Sequence, residues 1–331
     1  MKVLIVCKEI IPVTHYGGVQ RDVWYLGKEM VKMGHEVSFL VLEGSKCDFG
    51  QVLPLDMKRK VAEQIPDSVD IVNYHYSPDY VEETPKPYLV SVHGNRYDYR
   101  EFDLNSNFIS KNHALRYGSE VYVYNGMDWN DYSVVDLSAK RDYFHFLGKA
   151  AWRIKNVKGA IDTIKKTKGE RLKVMGGYRL NLKMGMRFTL SHRISFHGMV
   201  GGLQKDKLLN HSKGLLLPVR WHEPFGLAVI ESLYFGCPVF ATPYGSLPEL
   251  VNPEVGFLSN KMSELVDALE SSNRYFPGTC HDYAREMFNS RKMAQSYLEL
   301  FERILAGETL NRQRPKLRPD YSERFLDWIE E

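Results

Sequence analysis

The chain has 331 residues, of which 44% are apolar and 26% charged, and a formal net charge of +3. Such values argue against a disordered or fibrous chain, and at one domain per roughly 100–200 residues they suggest two globular domains. No apolar run approaches the ~20 residues that span a bilayer. Four scattered cysteines (Cys7, Cys47, Cys237, Cys280) form no CxxC pair, which argues against a disulfide or metal framework and fits a reducing cytoplasm.

In chain order, "KVLIVC" is a continuous apolar run, expected to be a buried first strand rather than a signal peptide. The loop "HYGGVQ" follows, and "VQRDVWYLGKEMVKM" places Val23, Trp24, Leu26, Met30 and Val31 near a helical period, with Gly34 as its stop. "EVSFLVL", residues 69–74, 87–93 and 120–124 read as further strands. The Asn-Gly turn in "YNGMD" precedes a restart of the pattern. Strands are expected at 143–149, 171–177, 193–198, 214–219 and 238–243, and helices at 157–167, from near Phe225, and at 292–305. Alternating strands and helices imply two parallel, doubly wound sheets, with a cleft between the domains and ligands at the carboxyl ends of the strands.

The small net charge hides an asymmetry. Residues 141–193 carry fourteen Lys/Arg against three Asp/Glu. This reads either as a solvated face or as positive potential serving an anionic ligand or a membrane surface. No aromatic residues interleave with a basic stripe, so nucleic acid is not an expected partner.

Three clusters fall at strand ends. In "HYGGV", Gly17 and Gly18 let backbone N–H groups approach a phosphate at a helix N-terminus, though an ordinary glycine turn has the same sequence. In "LGKAAWRIKNVKG", Lys149, Arg153, Lys155 and Lys158 follow a strand and precede a helix, where a diphosphate could be held. In "RWHEPFGLAVIE", Glu223 precedes a helix and Glu231 lies about two turns along it. Glu231 sits in a mostly apolar run, so its carboxylate needs a partner, and vicinal sugar hydroxyls would serve.

"EPFGLAVIESLYFGCPVFATPYGSLPELV" resembles the E-x7-E signature of retaining family 4 glycosyltransferases of the GT-B fold. "YGGV", "VYNGMD" and "FLGK…K" resemble that family's glycine loop, its crossover motif (with Tyr124 for the usual proline) and its phosphate clamp. The resemblance runs from residue 1 to about 305. It implies an α/β GT-B fold of two Rossmann-like domains facing each other across a cleft. The acceptor-side domain would be residues 1–138, the donor domain 139–305, and the tail 306–331 would pack back on the first domain.

By the same resemblance, Glu231 binds the donor ribose and Glu223 lies beside the donor sugar. Pro224, Phe225, Gly226 and Leu227 form the turn whose amides meet sugar or phosphate. Lys149 and Lys155 hold the diphosphate, with Lys at 149 replacing the commoner Arg, and Gly17 and Gly18 face it. His93 matches a histidine near the donor sugar. The base is expected against backbone around Phe196–Val200, which adds His197. Glu223, Lys155, Lys149 and His93 are the catalytic candidates, and no metal or cofactor is expected.

The implied activity is transfer of a hexose or N-acetylhexosamine from a nucleotide-diphosphate sugar, a UDP-sugar rather than a GDP-sugar, to an acceptor hydroxyl in polysaccharide, lipopolysaccharide or glycolipid synthesis. The setting would be the cytoplasm or the inner face of its membrane. A small soluble acceptor such as a pterin, and a catalytically silent nucleotide-sugar-binding protein, are the rival readings.

Overall fold

The structure is a computed structural model and describes residues 1–13, 17–181 and 187–331. His15 and Tyr16 of the glycine loop lie outside the described residues. The chain divides into two compact units. One comprises 1–13, 17–128 and 288–322; the other comprises the described residues of 129–287 together with 323–331.

The first unit is built on β1 (Lys2–Cys7), α1 (Gly18–Lys32), β2 (Glu36–Val41), β3 (Gln51–Pro54), β4 (Ile71–Tyr74), β5 (Tyr88–Val92), β6 (Ser106–Phe108) and α2 (Lys111–Arg116). Its six strands are parallel in the order β3-β2-β1-β4-β5-β6. The run Val3–Cys7 is wholly buried, as a central strand covered on both faces must be. One face is packed by Leu4, Val6, Leu40, Tyr74, Val92, Phe108 and Leu317. α1 turns Val23, Leu26 and Met30 inward. It ends on left-handed Gly34 in a double-bonded cap, Gly34 N–H to Val31 O at 2.9 Å and His35 N–H to Met30 O at 3.0 Å.

The second unit contains β7 (Tyr143–Leu147), α3 (Val157–Lys166), β8 (Leu172–Met175), β9 (Leu180–Asn181), β10 (Arg187–Phe188), β11 (Ile194–Phe196), α4 (Gly202–Asn210), β12 (Ser212–Leu217), α5 (Leu227–Tyr234), β13 (Val239–Ala241), α6 (Leu247–Leu250), β14 (Gly256–Leu258), α7 (Met262–Glu270) and α8 (Pro277–Met287). Its main sheet runs β11-β8-β7-β12-β13-β14, also all parallel. Both sheets therefore share one winding order, and each reverses direction at a single place: between β1 and β4, and between β7 and β12. Loops at the carboxyl ends beside such a reversal are where ligands of these sheets bind.

The boundaries differ from the sequence expectation. The first unit ends at Asp128, held by Lys32 at 2.8 Å and Lys28 at 3.0 Å, while Trp129 stacks on Tyr234 at 4.3 Å in the second. The last long helix, α9 (Ser290–Leu305), belongs to the first unit and not, as expected, to the second. Its start is zipped to the chain at Met127 (Met127 N–H to Phe288 O, 3.0 Å; Ser290 N–H to Met127 O, 2.9 Å), and it packs on α1 and β5.

The tail is divided. Residues up to Ser322 join the first unit, where Phe102 N–H bonds Pro315 O at 2.7 Å. Residues 323–331 join the second, where Leu326 N–H bonds Arg220 O at 2.8 Å and Met262 N–H bonds Ile329 O at 2.8 Å. After one 3₁₀ turn at Pro319–Tyr321, the rest of "YSERFLDWIEE" is irregular, with a bend at Arg324–Phe325 and a bridge from Ile329 to Lys261. Residues 120–124 make only a bridge from Tyr122 to Phe108 rather than a strand, and β3, β6, β9, β10 and β14 were not foreseen. No helix among the described residues is long and apolar enough to cross a membrane.

Candidate functional site

The carboxyl ends of β7, β8 and β11 are knitted by glycine backbone. Gly148 N–H bonds Met175 O at 3.0 Å, Ala150 N–H bonds Gly176 O at 3.0 Å, and Gly198 N–H bonds Gly177 O at 3.1 Å. A Cβ on Gly176 would stand 2.0 Å from Gly148 O, so only glycine permits this approach. His197 leads off the third loop. Its N–H bonds Val174 O at 3.0 Å and its Nε2 lies 3.1 Å from Ser195 Oγ. Burial, reinforced by Lys173, holds its imidazole below the usual histidine range.

The loop after β7 carries both lysines. Lys149 is exposed, with its ammonium 5.0 Å from the Trp152 ring centroid. Lys155 closes a 3₁₀ turn, Arg153–Lys155, and left-handed Asn156 then caps α3 by accepting from Gly159 N–H at 3.0 Å. The loop after β12 is tied to it through Arg220 N–H and Ile154 O at 2.7 Å. The tie brings Lys155 Nζ to 2.6 Å from Glu223 Oε2, an oxygen that also accepts from Trp221 Nε1 at 2.9 Å. The Lys155 ammonium lies 4.8 Å from the Trp221 ring centroid. Lys158 instead points outward, 67% exposed, to Asp162 at 2.9 Å and Glu330 at 3.3 Å.

Glu223 is fixed from behind as well. Ser246 N–H bonds its carbonyl at 2.9 Å, and Gly245 presses so closely that a Cβ there would stand 2.3 Å from its backbone N and O. Pro224 and Phe225 are buried, and Phe225 O accepts from Ser246 Oγ at 2.5 Å. Gly226 is left-handed (φ 103°), so α5 begins at Leu227, two residues later than the sequence suggested. No side chain caps this helix start, and its first turn holds no acid.

Glu231, on α5, is 4% exposed, and it has protein partners that sequence reasoning missed. Lys205 of α4 pairs with its Oε1, and Tyr132 donates its hydroxyl to the same oxygen at 2.7 Å. The apolar run of α5 called for such partners, but nothing local named them.

In the first unit, Gly17 precedes α1 in extended conformation (φ 169°) and Gly18 opens the helix. His93 follows β5 and joins a buried chain. Ser91 Oγ lies 3.0 Å from Asn73 Oδ1 and 2.9 Å from Asn107 Oδ1, and Asn73 offers its amide nitrogen to His75 Nε2 at 2.9 Å. His75 then carries its proton on Nδ1 and donates it to His93 Nε2 at 2.9 Å. That leaves the His93 proton on Nδ1, 3.4 Å from Asp22 Oδ2. Burial, helped by His93, holds His75 well below the usual histidine range. Burial raises the Asp22 carboxyl, while His93 pulls it the other way. No group of three or more His, Cys, Asp or Glu among the described residues could hold a metal ion.

Residues 141–272 match the family model described as "Glycosyl transferases group 1". Two curated relatives, both from Klebsiella pneumoniae, are an uncharacterized 41.2 kDa protein in the cps region and an uncharacterized 42.6 kDa protein in the cps region. The first is 28% identical over 33% of this chain and 32% of its own length. The second is 23% identical over 60% of this chain and 51% of its own length. The chain thus spans about a third and about half of the curated relatives it matches.

Among solved structures, a glycosyltransferase involved in avilamycin A biosynthesis, AviGT4, has a TM-score of 0.74 at 21% identity, covering 94% of this chain and 99% of the other. The Anabaena protein HepE in complex with UDP-glucose has a TM-score of 0.67 at 15% identity, covering 91% and 99%. The two six-stranded parallel sheets and these neighbours make the fold GT-B.

Proposed function

We propose that this chain is a retaining glycosyltransferase that moves a hexose or N-acetylhexosamine from a UDP-sugar to an acceptor hydroxyl in polysaccharide synthesis. The observation that carries the reading is the Lys155–Glu223–Trp221 cluster at the β7/β12 reversal, beside the start of α5. The matched family segment includes all of these residues and Glu231. UDP is favoured because a structural neighbour was solved with UDP-glucose, and polysaccharide because both curated relatives lie in a cps region.

In the transfer, the bond from the anomeric carbon to the diphosphate oxygen breaks, and the acceptor oxygen bonds the same carbon from the same face. The acceptor proton passes to the leaving phosphate oxygen. Negative charge grows on the diphosphate, and Lys149, Lys155 and the amides of residues 225–227 stabilise it there. Glu223 meets the donor sugar and Glu231 the ribose. His197 lies by the base, and Gly17, Gly18 and His93 keep the roles their motifs imply toward the donor. In this reading the cationic side chains and amides neutralise the leaving charge without a metal, so turnover is expected in excess EDTA.

The test is incubation of the purified chain with UDP- and GDP-sugars. Heat-stable binding of one UDP-sugar, slow donor hydrolysis without acceptor, and product of unchanged anomeric configuration by NMR are expected. Absence of binding and of hydrolysis across the panel would refute transfer. An inverted product would refute retention, and loss in EDTA restored by Mg²⁺ or Mn²⁺ would refute the metal-free clamp.

A further inference from the structure

The Glu231 carboxylate is held by a built arrangement of three segments. α5 supplies the acid. α4 supplies Lys205, 3% exposed, whose ammonium pairs with Oε1. The stretch entering the second unit supplies Tyr132, whose hydroxyl donates to Oε1 at 2.7 Å and whose ring centroid lies 5.1 Å from the Lys205 ammonium. Neighbouring contacts lock these pieces together. Ser133 donates to Asp206 Oδ2 through both its N–H and its hydroxyl, each at 3.0 Å, so the residue after Tyr132 is tied to the residue after Lys205. Upstream, Trp129 stacks on Tyr234 of α5 at 4.3 Å and 7°, and Tyr234 donates its hydroxyl to Trp129 O at 3.1 Å.

A carboxylate in an apolar helix is costly to ionise unless a cation lies beside it, and a long side chain of this kind samples several rotamers unless bonded. Two donors converging on one oxygen remove both difficulties. A carboxylate that is already ionised and immobile loses little entropy when it accepts hydrogen bonds from a diol. A hydrogen bond to a charged group is also the kind whose loss a ligand feels most.

We infer that Lys205 and Tyr132 are positioning residues for nucleotide recognition, holding the Glu231 carboxylate so that it reads the vicinal hydroxyls of a nucleoside diphosphate. The inference rests on the reading of Glu231 as the ribose acid. It predicts that these two residues set the discrimination between ribose and 2′-deoxyribose, which neither of them would touch.

The experiment is calorimetric titration of the intact chain with UDP, 2′-deoxy-UDP, GDP and 2′-deoxy-GDP, with melting temperature measured for every variant. The wild type should prefer the ribonucleotide of one base by about tenfold or more, the scale of a charged hydrogen bond. Glu231→Gln should erase most of that preference. Lys205→Met should bring the ratio to within about threefold of unity and weaken ribonucleotide binding by about tenfold. Lys205→Arg should restore most of it, and Tyr132→Phe should lower the ratio by roughly three- to fivefold.

A preference kept at the wild-type ratio in folded Lys205→Met and Tyr132→Phe, but lost in Glu231→Gln, overturns the inference alone. A preference unchanged in Glu231→Gln, or no binding of either base to the wild type, overturns the reading of Glu231 beneath it. Should Lys205→Met not fold, Tyr132→Phe, which leaves the ion pair in place, decides by the same ratio.

Discussion

Lys155 and Glu223, sixty-eight residues apart, meet at 2.6 Å because the loops that carry them flank the reversal between β7 and β12. The Lys155 side chain is 11% exposed and the Glu223 side chain 7%. On the proposed reading, Glu223 holds the charge that a diphosphate would use, and the pair presets the lysine on its loop. Removing one such donor to a transition state costs roughly 10²–10³ in turnover. Lys155→Ala should lower kcat by about that factor and change donor KM much less. Lys158→Ala, on the exposed side of α3, should lose less than about twofold. Steady-state kinetics of both variants in one assay check this, and equal mild losses would move the clamp elsewhere.

Gly245 offers a test of the Glu223 backbone. Its φ is +67°, and an added Cβ would overlap Glu223 N and O at 2.3 Å. Gly245→Ala therefore carries both backbone strain and a clash that only main-chain movement relieves, at about 1–3 kcal/mol. The expected outcome is a melting temperature lower by several degrees and a kcat loss larger than the fraction unfolded explains. Full activity in the folded variant would show that Glu223 tolerates displacement.

Acid should weaken the protein. Burial holds His145 down at about 3, with Arg141 adding to the effect, and holds His75 and His113 well below their usual range. Each folded pKa lies below its unfolded value, so each contribution is complete above ~6.5 and is lost as pH falls from there towards the folded value. For His145 the loss reaches about 2 kcal/mol by pH 5. The raised Asp22 carboxyl acts in the opposite sense, easing with acid as it takes up a proton. Chemical unfolding at pH 7.5 and 5.0 should show the net decline, and His145→Asn should flatten it even though the substitution costs stability at both pH values. An identical slope in that variant would contradict the assignment.

The last nine residues should matter to the second unit. Arg220, which leads into the Trp221–Glu223 loop, donates its Nε to Leu326 O at 2.7 Å and accepts Leu326 N–H on its own carbonyl at 2.8 Å. Truncation after Ser322 is expected to lower the melting temperature and to weaken donor binding several-fold, since the loop loses its outer support. Differential scanning calorimetry and donor titration check both effects. Undiminished values would mean the loop holds itself.

Much of this was legible in sequence. β1, β2, β4, β5, β7, β8, β11 and β12 announce themselves as apolar runs because a strand covered on both faces has few polar positions. β6 (Ser106–Phe108) and β3 (Gln51–Pro54) are short and rich in polar or edge residues, and they are strands because a neighbour offers its backbone, not because of their own pattern. The two glutamates and Lys155 stood out through spacing at a strand end. Lys205 and Tyr132 did not, since a buried lysine in α4 looks locally like any surface lysine. The apolar stripe of α9 (Met293, Tyr297, Phe301) shows that the helix is covered, but the same stripe would suit either sheet.

The way the chain is apportioned bears on its synthesis. The first unit is closed by residues 288–322 and the second by 323–331. During translation, the N-terminal unit cannot cover the α1 and β5 surfaces that α9 packs on until the last helix has been made. The second unit has its sheet but not the strap at Lys261 and Arg220 until the final residues emerge. Domains usually complete their folding one after another from the N-terminus. Here the pieces that close both units follow residue 287, so a ribosome stalled before residue 288 would display two unsealed half-structures and become a substrate for chaperones.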